Sequence, residues 1–163
     1  MNKRFLTTIC ICIFILLIGF SLYMRCSKSE IPYEFPKIKI TYNNENVPSS
    51  KGQYNWIYGV GGSSNITGPS YEVGKQSEII KCTPNSYINV FFKTRPIKAL
   101  PKRITVLLWK DTNSEPIIYK EDEEKDSISV LLPDQEGEYI FEIQGYWDDK
   151  RNTSSIINVS VER

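Results

Sequence analysis

The chain contains no histidine. That absence removes the commonest general base, the commonest transition-metal ligand and the one side chain that ordinarily changes charge near neutral pH. An excess of charge is lacking too. Twenty Lys and Arg stand against 19 Asp and Glu, and without Lys3 and Arg4 the balance is 18 against 19. Nucleic-acid binders concentrate basic charge on one face, so no nucleic-acid partner is expected. Cysteine is sparse. Cys10 and Cys12 fall in an apolar run, where they act as small apolar residues, and Cys82 is alone in the rest of the chain after Cys26. No pair has metal-ligand spacing, and neither metal nor cofactor is expected. A Cys26–Cys82 bridge would need an oxidising compartment and a specific geometry.

What is present starts with Phe5 to Met24, twenty residues without a charge. As a helix they reach about 30 Å, the thickness of a bilayer's hydrocarbon core. Ile9 to Phe20 shows no polar face at helical spacing, unlike a soluble amphipathic helix. A secretory signal would need small residues before its cleavage site, and Ser21-Leu22-Tyr23-Met24-Arg25 offers bulk and charge. Cys26 stands where a lipoprotein cysteine would, but Arg25 before it is neither small nor neutral. The expectation is an uncleaved single-pass transmembrane anchor over residues 5–25, after a cytoplasmic tail at 1–4. Residues 26–36, with Pro32 and Pro36, read as an extended linker. The expected location is the cell membrane, N-terminus inside and C-terminal domain outside, with the lipid bilayer as one partner.

Residues 37–163 carry strand signals. Ten Tyr, seven Phe and three Trp suit pleated, half-buried surfaces. About nine short strands are expected, among them 38–42, 53–58, 77–82, 87–92, 103–109, 117–119, 127–132, 138–147 and 155–162. Arg103 to Trp109 is the most apolar and is expected to be central. Residues 59–70, rich in Gly and Ser, read as a loop. No convincing amphipathic helix appears downstream of the anchor. The fold class is all-β, an immunoglobulin-like antiparallel β-sandwich preceded by one transmembrane helix.

Trp56, Trp109 and Trp147, with neighbouring tyrosines, are candidates for a sugar- or peptide-binding platform, since aromatic rings offer large rigid contact area. Against this, alternating aromatics mostly pack inward, and Trp109 and Tyr139 are expected in the core. Gly137 permits a tight corner. Tyr139, two residues later, is placed like the tyrosine of a sandwich corner, with Phe141 where an immunoglobulin domain has cysteine. Glu121 to Glu124 with Asp126 reads as a charged hairpin tip rather than a calcium loop.

Lys51-Gly52-Gln53-Tyr54-Asn55-Trp56 resembles the "KGSYSW" opening of a family of membrane-anchored or lipoprotein-type extracytoplasmic proteins of Gram-positive, bacillus-like bacteria. The stretch from Pro133 through Gly137, Tyr139 and Phe141 to Trp147 resembles that family's "P..KG.Y.YEV.A.W" close. Phe92 to Pro96 is similar to its "F.KKP", and Val106 to Trp109 to its "V.LW". The family's "D.P" is met here by Gly68-Pro69-Ser70, without the acid. Family members carry no assigned activity, so the resemblance implies an address and a fold. The expected function is a membrane-anchored, non-enzymatic extracytoplasmic binding or structural module facing an envelope protein or wall polymer. The alternative is a small carboxylate-dependent hydrolase. The anchor makes one prediction directly: protein extracted from membranes has an intact N-terminus by mass, whereas a form free in the medium and starting after residue 25 would refute it.

Overall fold

The structure is a computed structural model and describes residues 11–22, 32, 34–58, 61–95 and 99–163. Residues 11–22 (α1) are helical and exposed throughout. Among the described residues no helix is long and apolar enough to cross a membrane. The rest of the expected span, residues 5–10 and 23–25, lies outside the described residues, as does Cys26.

Among the described residues twelve strands and one further helix follow. They are β1 (Lys37–Tyr42), β2 (Glu45–Asn46), β3 (Ser50–Lys51), β4 (Tyr54–Tyr58), β5 (Gly61–Asn65), α2 (Ser70–Lys75), β6 (Ile79–Cys82) and β7 (Tyr87–Lys93). Then come β8 (Arg103–Trp109), β9 (Ile117–Glu123), β10 (Ser127–Leu131), β11 (Gly137–Asp148) and β12 (Arg151–Val161). One sheet runs β10-β7-β1-β2, the other β5-β4-β12-β11-β8-β9. All pairings are antiparallel except that of β6 with β12. One edge of β12 lies along β11 for its full length, and the other is tiled in turn by β4, β3 and β6.

The core forms between the two sheets because strand side chains alternate. From the first sheet come Ile40, Ile88, Val90, Phe92, Ile128 and Val130. Facing them are Ile104, Val106, Phe141, Ile143, Trp147, Ile157 and Val159. The result is a β-sandwich. At one end Trp147, 1% exposed, meets Trp56 edge-to-face at 5.0 Å and Phe92 at 6.0 Å. Its indole Nε1 donates to the Ala99 carbonyl at 2.8 Å. At the other end Tyr139 donates its hydroxyl to the Gln135 carbonyl at 3.0 Å, closing the corner before β11. Gly137 there has φ 154°, a value that side-chain-bearing residues rarely adopt.

Several expectations change. Residues 61–65 are a strand rather than loop, held by pairing with β4. A six-residue helix, α2, stands where none was expected. It lies close against β11, since a Cβ on Gly74 would come within 2.3 Å of Ile140, and Lys75 Nζ donates to Glu138 Oε2 at 2.7 Å. Glu121 to Glu123 continue β9, so only residues 124–126 are left for the turn. β12 begins at Arg151, four residues ahead of the strand expected at 155–162. Asn43 and Asn44 form a tight turn, with φ of 49° and 67° between paired Tyr42 and Glu45, the left-handed values a two-residue hairpin needs.

Two predictions follow from this packing. Trp147→Ala should cost about 3–5 kcal/mol, a large share of the ~5–15 kcal/mol typical of a domain, and lower the urea midpoint accordingly. Burial pushes the Cys82 thiol up to about 11. The peptide carrying Cys82 should therefore resist iodoacetamide at pH 8 in the native protein and react once unfolded. The folded thiol ionises later than the unfolded one. This contribution to stability is complete below the ordinary value of 9.0 and is lost as pH rises through about 11.

Candidate functional site

The odd-numbered residues of β11 face the core, so its even-numbered residues form a row on the outer face of the larger sheet. Register places Tyr146 opposite Asn152, Gln144 opposite Ser154 and Ile140 opposite Asn158. On the other side Tyr146 pairs Arg103, Gln144 pairs Thr105 and Ile140 pairs Trp109. Asn55 of β4 pairs Asn152. Three strands thus bring Glu142, Gln144, Tyr146, Asn152, Ser154 and Asn55 onto one surface, although they are far apart in sequence.

Glu142 lies at the floor of this surface, 3% exposed. Its Oε2 accepts from Trp109 Nε1 at 3.0 Å. Its Oε1 accepts from Gln144 Nε2 at 2.9 Å and Ser154 Oγ at 2.8 Å. The indole and amide N–H groups can only donate, so Glu142 is held as an acceptor, the role of an ionised carboxylate. Among the described residues it has no ion-pair partner. Leaving such a charge buried is costly without its hydrogen bonds, and these three donors compensate it.

Around Glu142 opens a cleft of about 260 Å³. Gln144 accepts from the Tyr146 hydroxyl. Burial holds the Tyr146 phenol above its ordinary pKa, while the Arg103 guanidinium, 4.8 Å from its ring centre, acts in the opposite sense. Arg103 also reaches Glu121 at 3.8 Å, and Thr105 Oγ1 donates to Glu121 Oε2 at 3.0 Å. Gln53, Tyr54 and Asn55 form the opposite rim. That rim is brought close by Gly52, whose N–H donates to the Ser154 carbonyl at 3.1 Å. A Cβ on Gly52 would come 1.8 Å from Ser154 Oγ, the same hydroxyl that donates to Glu142. A broader hollow beside the cleft shares Tyr146 and Asn152 and brings Glu123, Asp148 and Asp149 together with Lys102 and Arg103. Asp148 there is paired with Arg151 at 2.6 Å.

The expected aromatic residues do not gather into one platform. Trp56, 5% exposed, and Trp147 are buried against each other in the core. Trp109, expected in the core, stands half-buried on the opposite face and serves Glu142. Tyr139 is half-buried against the core at the corner. Among the described residues no group of three or more His, Cys, Asp or Glu is arranged to hold a metal ion. The alternation of β11 carries the signal for Glu142, Gln144 and Tyr146, but nothing within that strand says which residues stand beside them.

The protein is thus a β-sandwich with a preformed polar cleft on the outside of one sheet. Comparison of the chain with protein-family models, curated proteins and solved structures finds no match.

Gly52→Ala should destabilise the domain by about 1–3 kcal/mol through overpacking against Ser154. Gly68→Ala, where an added Cβ meets nothing within 4 Å, is the control and should leave the urea midpoint within about 0.5 kcal/mol of the parent.

Proposed function

We propose that this chain is an extracytoplasmic binding module, anchored in the cell membrane by its N-terminal segment and presenting an immunoglobulin-like sandwich outside. The observation that carries the binding role is the cleft over Glu142. It is concave and polar, and its floor is fixed by hydrogen bonds before any ligand arrives. Preorganisation of this kind lowers the cost of ordering on binding.

The immunoglobulin-like reading is supported by strand order. With β1, β7 and β10 taken as strands A, B and E, and β9, β8, β11 and β12 as C′, C, F and G, the bonded orders are A-B-E and C′-C-F-G. The corner tyrosine supports it too, with Phe141 packed where the family of folds often has cysteine. The membrane reading is supported by twenty uncharged residues, of which the described helical ones expose Phe14, Leu16 and Phe20. Lipid is a solvent in which such a helix loses nothing by exposure. The resemblance to membrane-anchored proteins of bacillus-like bacteria points the same way. An envelope protein or wall polymer would then lie within reach.

The alternative, a small hydrolase, needs two carboxylates facing each other across a cleft. Among the described residues Glu142 is the one acid lining the polar cleft, which favours binding over bond cleavage. The test is a pull-down from envelope extracts with the full chain in detergent. Retention of a specific protein or wall polymer, reduced by substitution at the cleft, is expected. Release of new, shortened fragments of a wall polymer on incubation would instead support the hydrolase.

A further inference from the structure

We infer that the cleft over Glu142 takes one ring of a neutral, hydroxyl-rich sugar, a proposal that rests on the binding reading above and names its ligand class. Charge makes the first selection. Among the described residues no Lys or Arg lines the cleft, Arg103 behind Tyr146 is paired with Glu121, and a buried carboxylate forms the floor. Phosphate and carboxylate ligands would meet the Glu142 charge there without a cation inside the cleft to offset it.

The hydrogen-bonding groups left open make the second selection. A carboxylate has about four acceptor positions, and three donors already occupy Glu142. Gln144 gives one amide hydrogen to Glu142 and accepts from Tyr146, leaving its second N–H. Asn152 accepts the Asn55 backbone N–H at 3.1 Å through Oδ1, leaving its NH₂. The side-chain amides of Gln53 and Asn55, at the rim, have no hydrogen-bond partner among the described residues. Donors and acceptors therefore alternate over one small surface. An ammonium only donates, so it would leave the amide N–H groups of Gln144 and Asn152 unanswered. A hydroxyl both donates and accepts, and neighbouring hydroxyls on one ring match such a pattern.

Size and shape make the third. The cleft, about 260 Å³, lies below the ~300–1,000 Å³ usual for drug-sized ligands. One ring fits this space better than a long chain held end to end. Tyr146 supplies aromatic surface for the apolar face of such a ring.

The Trp109 indole N–H is a built-in reporter, since it is bonded to Glu142 while the other two indoles lie in the core. The full chain, ¹⁵N-labelled in a detergent without a sugar headgroup, is titrated with glucose, N-acetylglucosamine, glucosamine and glucuronic acid. The neutral sugars are expected to shift the Trp109 indole resonance saturably in the millimolar range, leaving Trp56 and Trp147 in place. Gln53→Ala and Asn55→Ala should each weaken binding at least fivefold with an unchanged melting temperature. The proposal is overturned if neither neutral sugar moves the Trp109 resonance, if a charged sugar binds more tightly than both, or if the rim variants bind like the parent. Should the sugars fail while an envelope protein is still retained in the pull-down, the binding reading survives and the ligand class falls. Failure of both removes the binding reading itself.

Discussion

Trp147 is the contact on which the two halves of the domain depend. It stands near the end of β11 in the larger sheet, touches Phe92 of the smaller sheet, and packs edge-on against Trp56 of β4. Its indole N–H is satisfied by the Ala99 carbonyl, in the connection that leads into β8. A buried tryptophan usually finds a partner for that polar tip as well as apolar neighbours, and here one side chain secures two sheets and a connection at once. Phe35, at the end of the expected linker, extends the cluster by lying 5.7 Å from Trp56 and 4.8 Å from Tyr54. The start of the domain is thereby tied to the same aromatic group as its longest strand.

The cleft is a by-product of how that core is packed. Once Phe141, Ile143 and Trp147 face inward, Glu142, Gln144 and Tyr146 must face outward. Trp56 pointing inward likewise sends Tyr54's neighbour Asn55 outward, beside Asn152. The outer face of a sheet is ordinarily solvated. Here the approach of Gly52 and the Trp109 indole bury Glu142, and its three donors hold it there. Among the described residues three buried side-chain atoms have no hydrogen-bond partner, Trp56 Nε1, Ser114 Oγ and Asn158 Oδ1. Asn158 is fully buried, its Nδ2 donates to Glu138 Oε1 at 2.8 Å, and its Oδ1 has no partner among the described residues.

Much of the sandwich was legible because its strands alternate. β8 begins and ends where apolar patterning placed it, and β7, β10 and β11 differ from expectation by a residue or so at their ends. The misses share a cause, which is pairing without a local apolar signal. Gly61 to Asn65 has no apolar side chain and is a strand only because β4 runs beside it. The opening of β12, Arg-Asn-Thr-Ser, is polar and is carried by β11 and β4. The helix α2 depends on a contact that only Gly74 allows. Trp109 was readable in principle: it lies three positions from Val106, so the two must point to opposite faces. The cleft was not readable, because its members come from strands whose adjacency is set by topology rather than by any one segment.

The tiling of β12 has a consequence for how the domain tolerates crowding. With β11 on one side and β4, β3 and β6 succeeding one another on the other, the C-terminal strand exposes little unpaired backbone. The outer edges of the larger sheet fall to β9 on one side and to β5, β3 and β6 on the other. β5 is Gly-Gly-Ser-Ser-Asn and the second half of β9 is Lys-Glu-Asp-Glu, stretches that give an incoming strand little apolar surface or impose charge on it. At β5 and the charged half of β9, copies held side by side at high density would therefore meet through side chains instead of zipping their sheets together.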